Sequence, residues 1–508
     1  VRYGGLRTLG VACGVACGVA CGVGRTASGG AVPVRAPAVR SRILDAMEYR
    51  DAHLNGSRPG EAALRVLAAL EAAGGEAWLV GGWVRDALRA APSHDIDMCS
   101  SLPWPEAARA LAAAGIGVIE SGTRFGGITA VADGVRIEVT TYRVDGFYGD
   151  GRHPDEVRFS TSVEDDLARR DFTVNAMAWH PARGLLDRYG GQADLAAGVI
   201  RAVGEPRLRF SEDALRILRA VRFACRLGFE LEGATAAAAA ALAHTLDAIA
   251  RERVGAELGG ILATGRGAFA LRSCPEVIVA AIPELAAARG FDQRSPYHVH
   301  DVYEHTACVL EAVETADRAP SAALRWAALL HDVEKPATFT VDEEGRGHFF
   351  GHPERGERTA RTIMRRLSLP DHLIRDTCLL IRYHDEPLQD TPASLLAQMR
   401  RFSGAGVDER ALMDNLFDIK RADALGKAPA CFSYVDEIER MRTRVHGLFD
   451  AGAAWNLKTL ALNGRDLMRA GVEPGPRIGR LLDEALTAEI SGAVPNERGA
   501  LLAHLGLR

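Results

Sequence analysis

Two aspartates, Asp95 and Asp97, follow the tract Gly81-Gly82-Trp83-Val84-Arg85-Asp86 by about a dozen residues. Residues i and i+2 of a strand share a face, so a strand over 94–99 aims both carboxylates the same way. Convergent carboxylates suit Mg²⁺, a hard cation that keeps positions for water and substrate phosphate. In two-metal phosphoryl transfer one ion activates the attacking hydroxyl and the other steadies the departing pyrophosphate. Gly81-Gly82 ends an apolar strand at 77–80 and opens a helix from Trp83 to about Ala90, so backbone N–H groups there can approach phosphate closely. Arg85, one turn in, supplies positive charge. Alone, an Asp-x-Asp is usually a solvated turn and a Gly-Gly only a bend; their succession on strand, turn, helix and strand carries the signal. Glu138 lies between Ile137 and Val139 and faces away from the apolar side of its strand. It is a candidate third acid, although a surface strand glutamate would show the same pattern.

A second constellation lies downstream: His298, His300, His305, His331-Asp332, His348, His352, His384-Asp385 and Asp423. Eight of the fifteen histidines fall within 298–384. Mixed imidazole and carboxylate donors suit Mn²⁺, Ni²⁺, Fe or Mg²⁺ without specifying one of them. Scattered polar histidines in a helical domain are the plainer reading, and their density argues against it.

The elements that position these groups follow from periodicity. Residues 61–74 read as an amphipathic helix, and 77–80, 94–99, 126–132 and 135–142 as strands, which makes the region up to about 200 an α/β unit. Beyond Arg201 strand signals fade and helices with short breaks take over, the strongest breaks falling at 289–297 and 451–457. A chain of 508 residues calls for several compact units, and 47% apolar with 25% charged residues is globular composition. The net charge of −5 gives no global argument for a polyanion partner, so any such site must be a local patch. Nine cysteines, odd in number and without CxxC pairs, fit a reducing cytoplasm better than a disulfide framework. The first 44 residues contain no acid and repeat Val-Ala-Cys-Gly. They read as a disordered low-complexity extension, although Arg2 and Arg7 before the apolar tract resemble targeting segments. Past them no apolar run is long enough for a bilayer, so no membrane partner is expected.

The local patch lies at 201–226, which holds seven Arg, no Lys and three acids. At 100° per residue, Arg216, Arg219, Arg222 and Arg226 share an arc of about 120°. Ile217, Leu218, Val221, Ala224 and Cys225 lie opposite, with Leu215 and Phe223 as exceptions. One face therefore packs and the other carries a ladder of guanidiniums, suited to bidentate contact with bases or phosphates. A solvated basic face is the alternative.

The motifs GGWVRD (81–86), DID (95–97), the run Glu164 to Ala178 containing Arg169-Arg170-Asp171, and Ser211-Glu212-Asp213-Ala214-Leu215-Arg216 occur in the order found in the class II CCA-adding enzyme and bacterial poly(A) polymerase family. The chain resembles that family closely over about 75–235 and more loosely beyond. The resemblance implies that Asp95 and Asp97 hold Mg²⁺. It also implies that Gly81, Gly82, Arg85 and Arg170 meet the nucleotide's phosphates and ribose, with Asp171 and Asn175 close by. Asp213 and Arg216 would read the edge of the incoming base, supported by Arg219 and Arg222. The loop 143–154 occupies the place where CCA-adding enzymes carry the segment that switches CTP for ATP, and it shows no deletion. The downstream pattern resembles the HD phosphohydrolase superfamily, which implies His305, His331, Asp332 and Asp423 as metal ligands. His352 and His384 remain for a second metal or a phosphate, and Glu334 stands where many members carry Gly.

The expected fold is α+β: a polymerase-β-type nucleotidyltransferase head at 60–200, followed by all-helical parts. These are a neck at 201–290 that selects nucleotides and binds RNA, an HD-like body at 291–450 and a tRNA-binding tail at 451–508. The expected activity is Mg²⁺-dependent, template-independent addition of CCA to tRNA from CTP and ATP in the cytoplasm. The rivals are a poly(A) polymerase, an A-adding enzyme, or an HD phosphohydrolase whose head only binds nucleotide.

Overall fold

A computed structural model of the chain describes residues 57–93, 95–120, 122–123, 126–145, 157–404 and 406–507. The N-terminal extension, His94 and most of the loop proposed to switch nucleotides lie outside the described residues. The head opens with α1 (Arg58–Ala72), β1 (Ala77–Val80), α2 (Gly82–Leu88), β2 (Ile96–Ser100) and α3 (Trp104–Ala113). It continues with β3 (Gly117–Ile119), β4 (Gly127–Ala132), β5 (Val135–Thr141), β6 (Arg143–Asp145), β7 (Val157–Phe159), α4 (Val163–Ala168), β8 (Met177–His180) and β9 (Gly184–Asp187). Seven of these strands form one sheet in the order β3-β4-β5-β2-β1-β8-β9, within which β2 and β5 run parallel and the other pairs antiparallel.

Alternation sorts the side chains of this sheet. Leu79, Ile96, Met98, Ile137 and Val139 join Val66, Leu70 and Leu111 of the flanking helices in one core. Trp78, Val80, Cys99, Tyr142 and Leu167 form a smaller core on the opposite face. β1 is buried along its whole length, which explains its unbroken apolar run. Since Ile96, Met98, Ile137 and Val139 take the first face, Asp97 and Glu138 must take the second. β8 and β9, beside β1, were not anticipated: Met177–His180 is buried at every position, so no polar alternation marks it.

The rest is helical apart from short strand pairs. The first of these pairs β10 (Val199–Ile200) with β11 (Glu230–Leu231). α5 (Gly191–Ala197), α6 (Pro206–Glu212), α7 (Leu215–Leu227), α8 (Gly233–Leu242) and α9 (Arg251–Ala263) follow the sheet. The Ala-rich stretch read as helix to 250 leaves α8 for a 3₁₀ segment at Ala243–Ala248. Then come α10 (Gly267–Ser273), α11 (Pro275–Ala281), α12 (Val302–Glu314), α13 (Ala322–Leu330) and α14 (Lys335–Thr338). The hairpin of β12 (Thr340–Val341) and β13 (Gly347–His348) precedes α15 (His352–Arg366), α16 (Asp371–Tyr383), α17 (Pro392–Arg401), α18 (Glu409–Leu425) and α19 (Ser433–Asp450). One continuous apolar core runs from Phe172 and Ile200 through these helices to Leu501. The fold is thus α+β, a sheet-bearing head with a helical remainder. Among the described residues no helix is long and apolar enough to cross a membrane.

Candidate active site and metal centre

Asp97 on β2 is in register with Val80 of antiparallel β1 and with Glu138 of parallel β5, so the two acids are cross-strand neighbours on one face. Both line a cavity of about 380 Å³. β2 begins at Ile96, so Asp95 sits just outside the strand and exposed. Burial pushes the Asp97 carboxyl up to about 6, with the Glu138 and Asp95 charges adding to the shift and Arg170 opposing it. That is the electrostatic condition of a group that gains from a cation. Two carboxylates on adjacent strands, with Asp95 just before one of them, fit a hard divalent ion such as Mg²⁺.

Gly81 lies between these acids and Arg170. Its φ is +69°, and a Cβ there would stand 2.9 Å from Arg170 Nη1 and 3.1 Å from Asp97 Oδ2. Both the backbone conformation and the space require glycine. At Gly82 a Cβ would meet only Arg85 Nη2 at 3.6 Å, so packing within the chain does not demand glycine there. Arg170, lining the cavity, is held from behind by Asp166 Oδ2 at 3.2 Å.

Arg85 sits elsewhere than the sequence suggests. It is 3% exposed and does not line the cavity. Its guanidinium makes a fork to Asp86 (2.9 and 2.8 Å) and reaches Asn175 Oδ1 at 2.6 Å. Asn175 Nδ2 donates to Asp171 Oδ1 at 3.1 Å, and Asp171 Oδ2 accepts two bonds from Arg219 at 3.0 and 2.6 Å. A relay Asp86–Arg85–Asn175–Asp171–Arg219 therefore joins the helix after the glycine pair to α7. Burial alone would raise the Asp171 carboxyl; Arg219 and Asn175 overcome it and hold it down at about 2.

The arginine ladder is paired rather than free. Arg216 is 8% exposed, contacts Glu212, and donates to the carbonyls of Arg209 (3.1 Å) and Arg169 (3.0 Å). Arg222 bonds Glu257 at 2.6 Å, while Arg226 is exposed. Phe223, an exception on the helical wheel, explains itself here. The guanidiniums of Arg85, Arg219 and Arg222 lie 5.5, 5.4 and 5.0 Å from its ring centre, so it is the platform on which three cations rest. Asp213 falls between α6 and α7 in extended conformation, bonded by Leu215 N at 2.9 Å. Arg253 of α9, which no motif marks, reaches within 3.5 Å of Asp213 Oδ2. Asp213, Arg216 and Arg253 line the same cavity as Asp97 and Glu138.

The histidines gather between helices. His305 lies on α12, His331 caps α13 with Asp332 beside it, His352 opens α15, His384 caps α16 and Asp423 is on α18. In each of the four histidines Nδ1 faces a backbone carbonyl: Gly426 (3.0 Å), Ala328 (2.9 Å), Phe349 (2.8 Å) and Ile381 (2.8 Å). A carbonyl only accepts, so Nδ1 carries hydrogen and Nε2 is presented to the centre, as ligand imidazoles are oriented. The centre is Asp332, 1% exposed, whose Oδ1 accepts no hydrogen bond. His305 Nε2 also lies 3.1 Å from Asp423 Oδ1. His305, His331 and Asp332 form one group of ligand atoms close enough to hold a metal, and Asp332, His352 and His384 another. His300 and His348 stay outside both groups, His348 bonding Asp342 at 2.8 Å. Glu334 turns to α15, accepting from Thr359 at 2.6 Å and pairing with Arg355 at 3.1 Å. Lys335 Nζ, 2.7 Å from Asp332 Oδ2, and Lys427 Nζ, 2.5 Å from Asp423 Oδ2, are members that the pattern of histidines did not reveal.

In the tail, Asn463 and Asp466 form a capping box at the start of a helix, Gly464–Arg469, and Asp466 pairs with Arg498 at 3.0 Å. That motif serves local structure.

Comparison with known proteins gives the family. Residues 77–201 match the poly A polymerase head domain, 228–274 the probable RNA and SrmB-binding site of polymerase A, 297–427 the HD domain, and 441–505 the putative tRNA nucleotidyltransferase domain 2. The CCA-adding enzyme of Lacticaseibacillus paracasei is 32% identical over 454 residues, covering 87% of this chain and 95% of the relative. The chain belongs to the CCA-adding enzyme family. Within that family the A-adding tRNA nucleotidyltransferase of Deinococcus radiodurans is 36% identical, covering 84% of this chain and 94% of its own length. Among solved structures, the Bacillus stearothermophilus CCA-adding enzyme in complex with CTP aligns with a TM-score of 0.61 at 25% identity, covering 89% of this chain and 97% of the other.

Proposed function

We propose that this chain is a tRNA nucleotidyltransferase that adds CCA to the tRNA 3′ end from CTP and ATP, releasing pyrophosphate at each step, in the cytoplasm. The observation that carries this reading is one cavity lined at once by the carboxylates Asp97 and Glu138 and by the side chains of Asp213 and Arg216. The first set suits phosphoryl transfer and the second suits a base edge. A volume of about 380 Å³ is within the range of pockets that take a nucleotide-sized ligand.

Asp95, Asp97 and Glu138 would hold Mg²⁺, which supplies charge neutralisation at the triphosphate and lowers the pKa of the attacking 3′ hydroxyl. Arg170, backed by Asp166, meets the phosphates across the space that Gly81 leaves open. Asp213 offers an acceptor and Arg216 donors, so together they select a base by its edge pattern without a nucleic-acid template. Their partners Arg253 and Glu212 hold them in place before a nucleotide arrives, which keeps the ordering cost of binding low. Arg85 and Asn175 act behind this surface as positioning residues through Asp171 and Arg219.

A second reading, addition of the terminal A only, is favoured by the 36% identity to the Deinococcus radiodurans relative. Incubating the protein with tRNA lacking CCA and with tRNA ending in CC, with CTP, ATP or both, and sequencing the ends separates them. Extension of the first substrate to CCA is expected. Extension of only the second would leave A addition, and growth past one adenosine would indicate poly(A) synthesis.

The HD region would hold a divalent ion through His305, His331, Asp332 and Asp423, and would supply phosphohydrolase chemistry apart from the transfer site. The four oriented imidazoles around Asp332, one of whose oxygens pairs with Lys335, support it.

A further inference from the structure

Asp213 and Arg216 suit what cytosine and adenine share, an exocyclic amine that donates and, beside it, a ring nitrogen that accepts. A pair of this kind takes either base and does not by itself tell CTP from ATP. The two bases differ on the other side of the amine, where adenine carries N7, an acceptor, and cytosine carries a C–H. Arg253 of α9 lines the cavity together with Asp213 and Arg216. Asp213 Oδ1 accepts from Leu215 N at 2.9 Å, which leaves Oδ2 for the amine of a base, and Oδ2 is the atom that faces Arg253 Nη2. At 3.5 Å that contact is an ion pair and too long for a good hydrogen bond. Arg253 Nη1 is enclosed by protein and has no hydrogen-bond partner among the described residues. Its neighbours are committed elsewhere: Arg216 to Glu212 and two carbonyls, Arg219 to Asp171. A buried guanidinium N–H without an acceptor is costly, and a base acceptor at this point would offset the cost. Arg216 takes the ring-nitrogen side of the amine, so a donor that adjoins Asp213 meets the amine's other neighbour.

We propose that Arg253 distinguishes ATP from CTP by donating to N7 of the adenine whose amine Asp213 accepts. This rests on the reading of Asp213 and Arg216 as the pair that meets the base edge, and adds to it a contact that only a purine can make. Cytosine offers no acceptor there, so Arg253 favours the adenosine step without opposing the cytidine steps. Guanine also carries N7, but its O6 would face the Asp213 carboxylate, acceptor against acceptor, so N7 alone does not admit GTP. Arg253 thus has two tasks on one guanidinium: it faces the carboxylate that reads the amine, and it reads the atom beside that amine.

The test uses the full chain, tRNA ending in CC, and either ATP or 7-deaza-ATP, in which a C–H replaces N7 and the Watson–Crick edge is kept. The parent should use 7-deaza-ATP with a kcat/KM roughly tenfold below that for ATP, as expected for loss of a hydrogen bond to a charged donor. In Arg253→Met the two nucleotides should be used equally. The same variant should lose roughly tenfold more in ATP incorporation than in CTP incorporation into tRNA lacking CCA. Equal use of ATP and 7-deaza-ATP by the parent overturns the proposal, and that arm needs no variant to fold. A preference for ATP over 7-deaza-ATP that persists in Arg253→Met assigns N7 to another group and overturns it too. Asp213→Ala separates the underlying reading. If this variant keeps the parental preference for ATP over GTP, Asp213 does not read the amine and both readings fall. If that preference is lost while the parent ignores the 7-deaza change, only the role of Arg253 falls.

Discussion

The transfer cavity and the histidine cluster both concentrate charge, yet they balance it in different ways. Around the cavity most charges have a protein partner: Arg219 has Asp171, Arg222 has Glu257, Arg216 has Glu212 and Asp213 has Arg253. Asp97, with its carboxyl pushed up, is the member that still gains from a cation. In the cluster Lys335 pairs with Asp332 Oδ2 and Lys427 with Asp423, while Asp332 Oδ1 faces the Nε2 atoms of His352 and His384. The cavity is preorganised by the chain itself, so a nucleotide can come and go without the fold paying attention to it.

The largest effect that would break this contrast is at Asp97. Asp97→Asn keeps the shape and removes the charge, and should lower kcat for CTP incorporation into tRNA by on the order of 10³ or more. Steady-state incorporation near the parental rate would show that the cavity does not depend on its carboxylates. Next is Asp171→Asn, which leaves the half-buried Arg219 without its charge partner and should cost about 2 kcal/mol by denaturant unfolding. The pH dependence follows from the sign of the shift. Asp171 is held at about 2, below its ordinary value. Its contribution of about 2 kcal/mol is therefore present above pH 4 and lost as pH falls through 2. The variant should show a shallower loss of stability below pH 4, and an unchanged acid profile would argue against the pair.

Metal removal probes the other side of the contrast. Stripping the protein with chelator and restoring Mn²⁺ at about a hundred times its Kd should stabilise the helical body by about 2.7 kcal/mol. Calorimetric scans that show no rise in the unfolding temperature would mean that the cluster balances its own charge with protons. The smallest effect is expected for Phe223→Leu. It keeps the apolar volume and removes the ring under three guanidiniums, which should lower kcat/KM for both nucleotides by roughly five- to tenfold, about 1 kcal/mol. A loss confined to ATP or to CTP would instead make the ring part of base selection.

Much of the head was legible because its chemistry sits on regular elements. Asp97 and Glu138 could be placed on one face from alternation alone, and their cross-strand pairing in the sheet agrees with that placement. Arg85 was misplaced because a helical position says nothing about tertiary partners. Its turn inward depends on Asn175, ninety residues away. The ladder on α7 was legible as a stripe but not as a set of pairs, since Asp171 and Glu257 come from distant segments. Phe223 carried a signal in its departure from the apolar side, and it needed the three arginines around it to acquire a meaning. In the cluster, residue type and density pointed to His305, His331 and Asp332. That all four imidazoles share one tautomer could not be read from spacing, because it depends on carbonyls at helix ends.

The relay from Asp86 to Arg219 has a consequence for how this sequence can change over time. Each of the three inner members satisfies two neighbours, so a lone replacement at Arg85, Asn175 or Asp171 leaves polar groups stranded on both sides. Losses at these positions should then overlap rather than add, a second substitution costing much less than the first. Drift along this relay would have to proceed by coordinated exchange. A homologue that differs at one of the five positions should differ at its neighbours too.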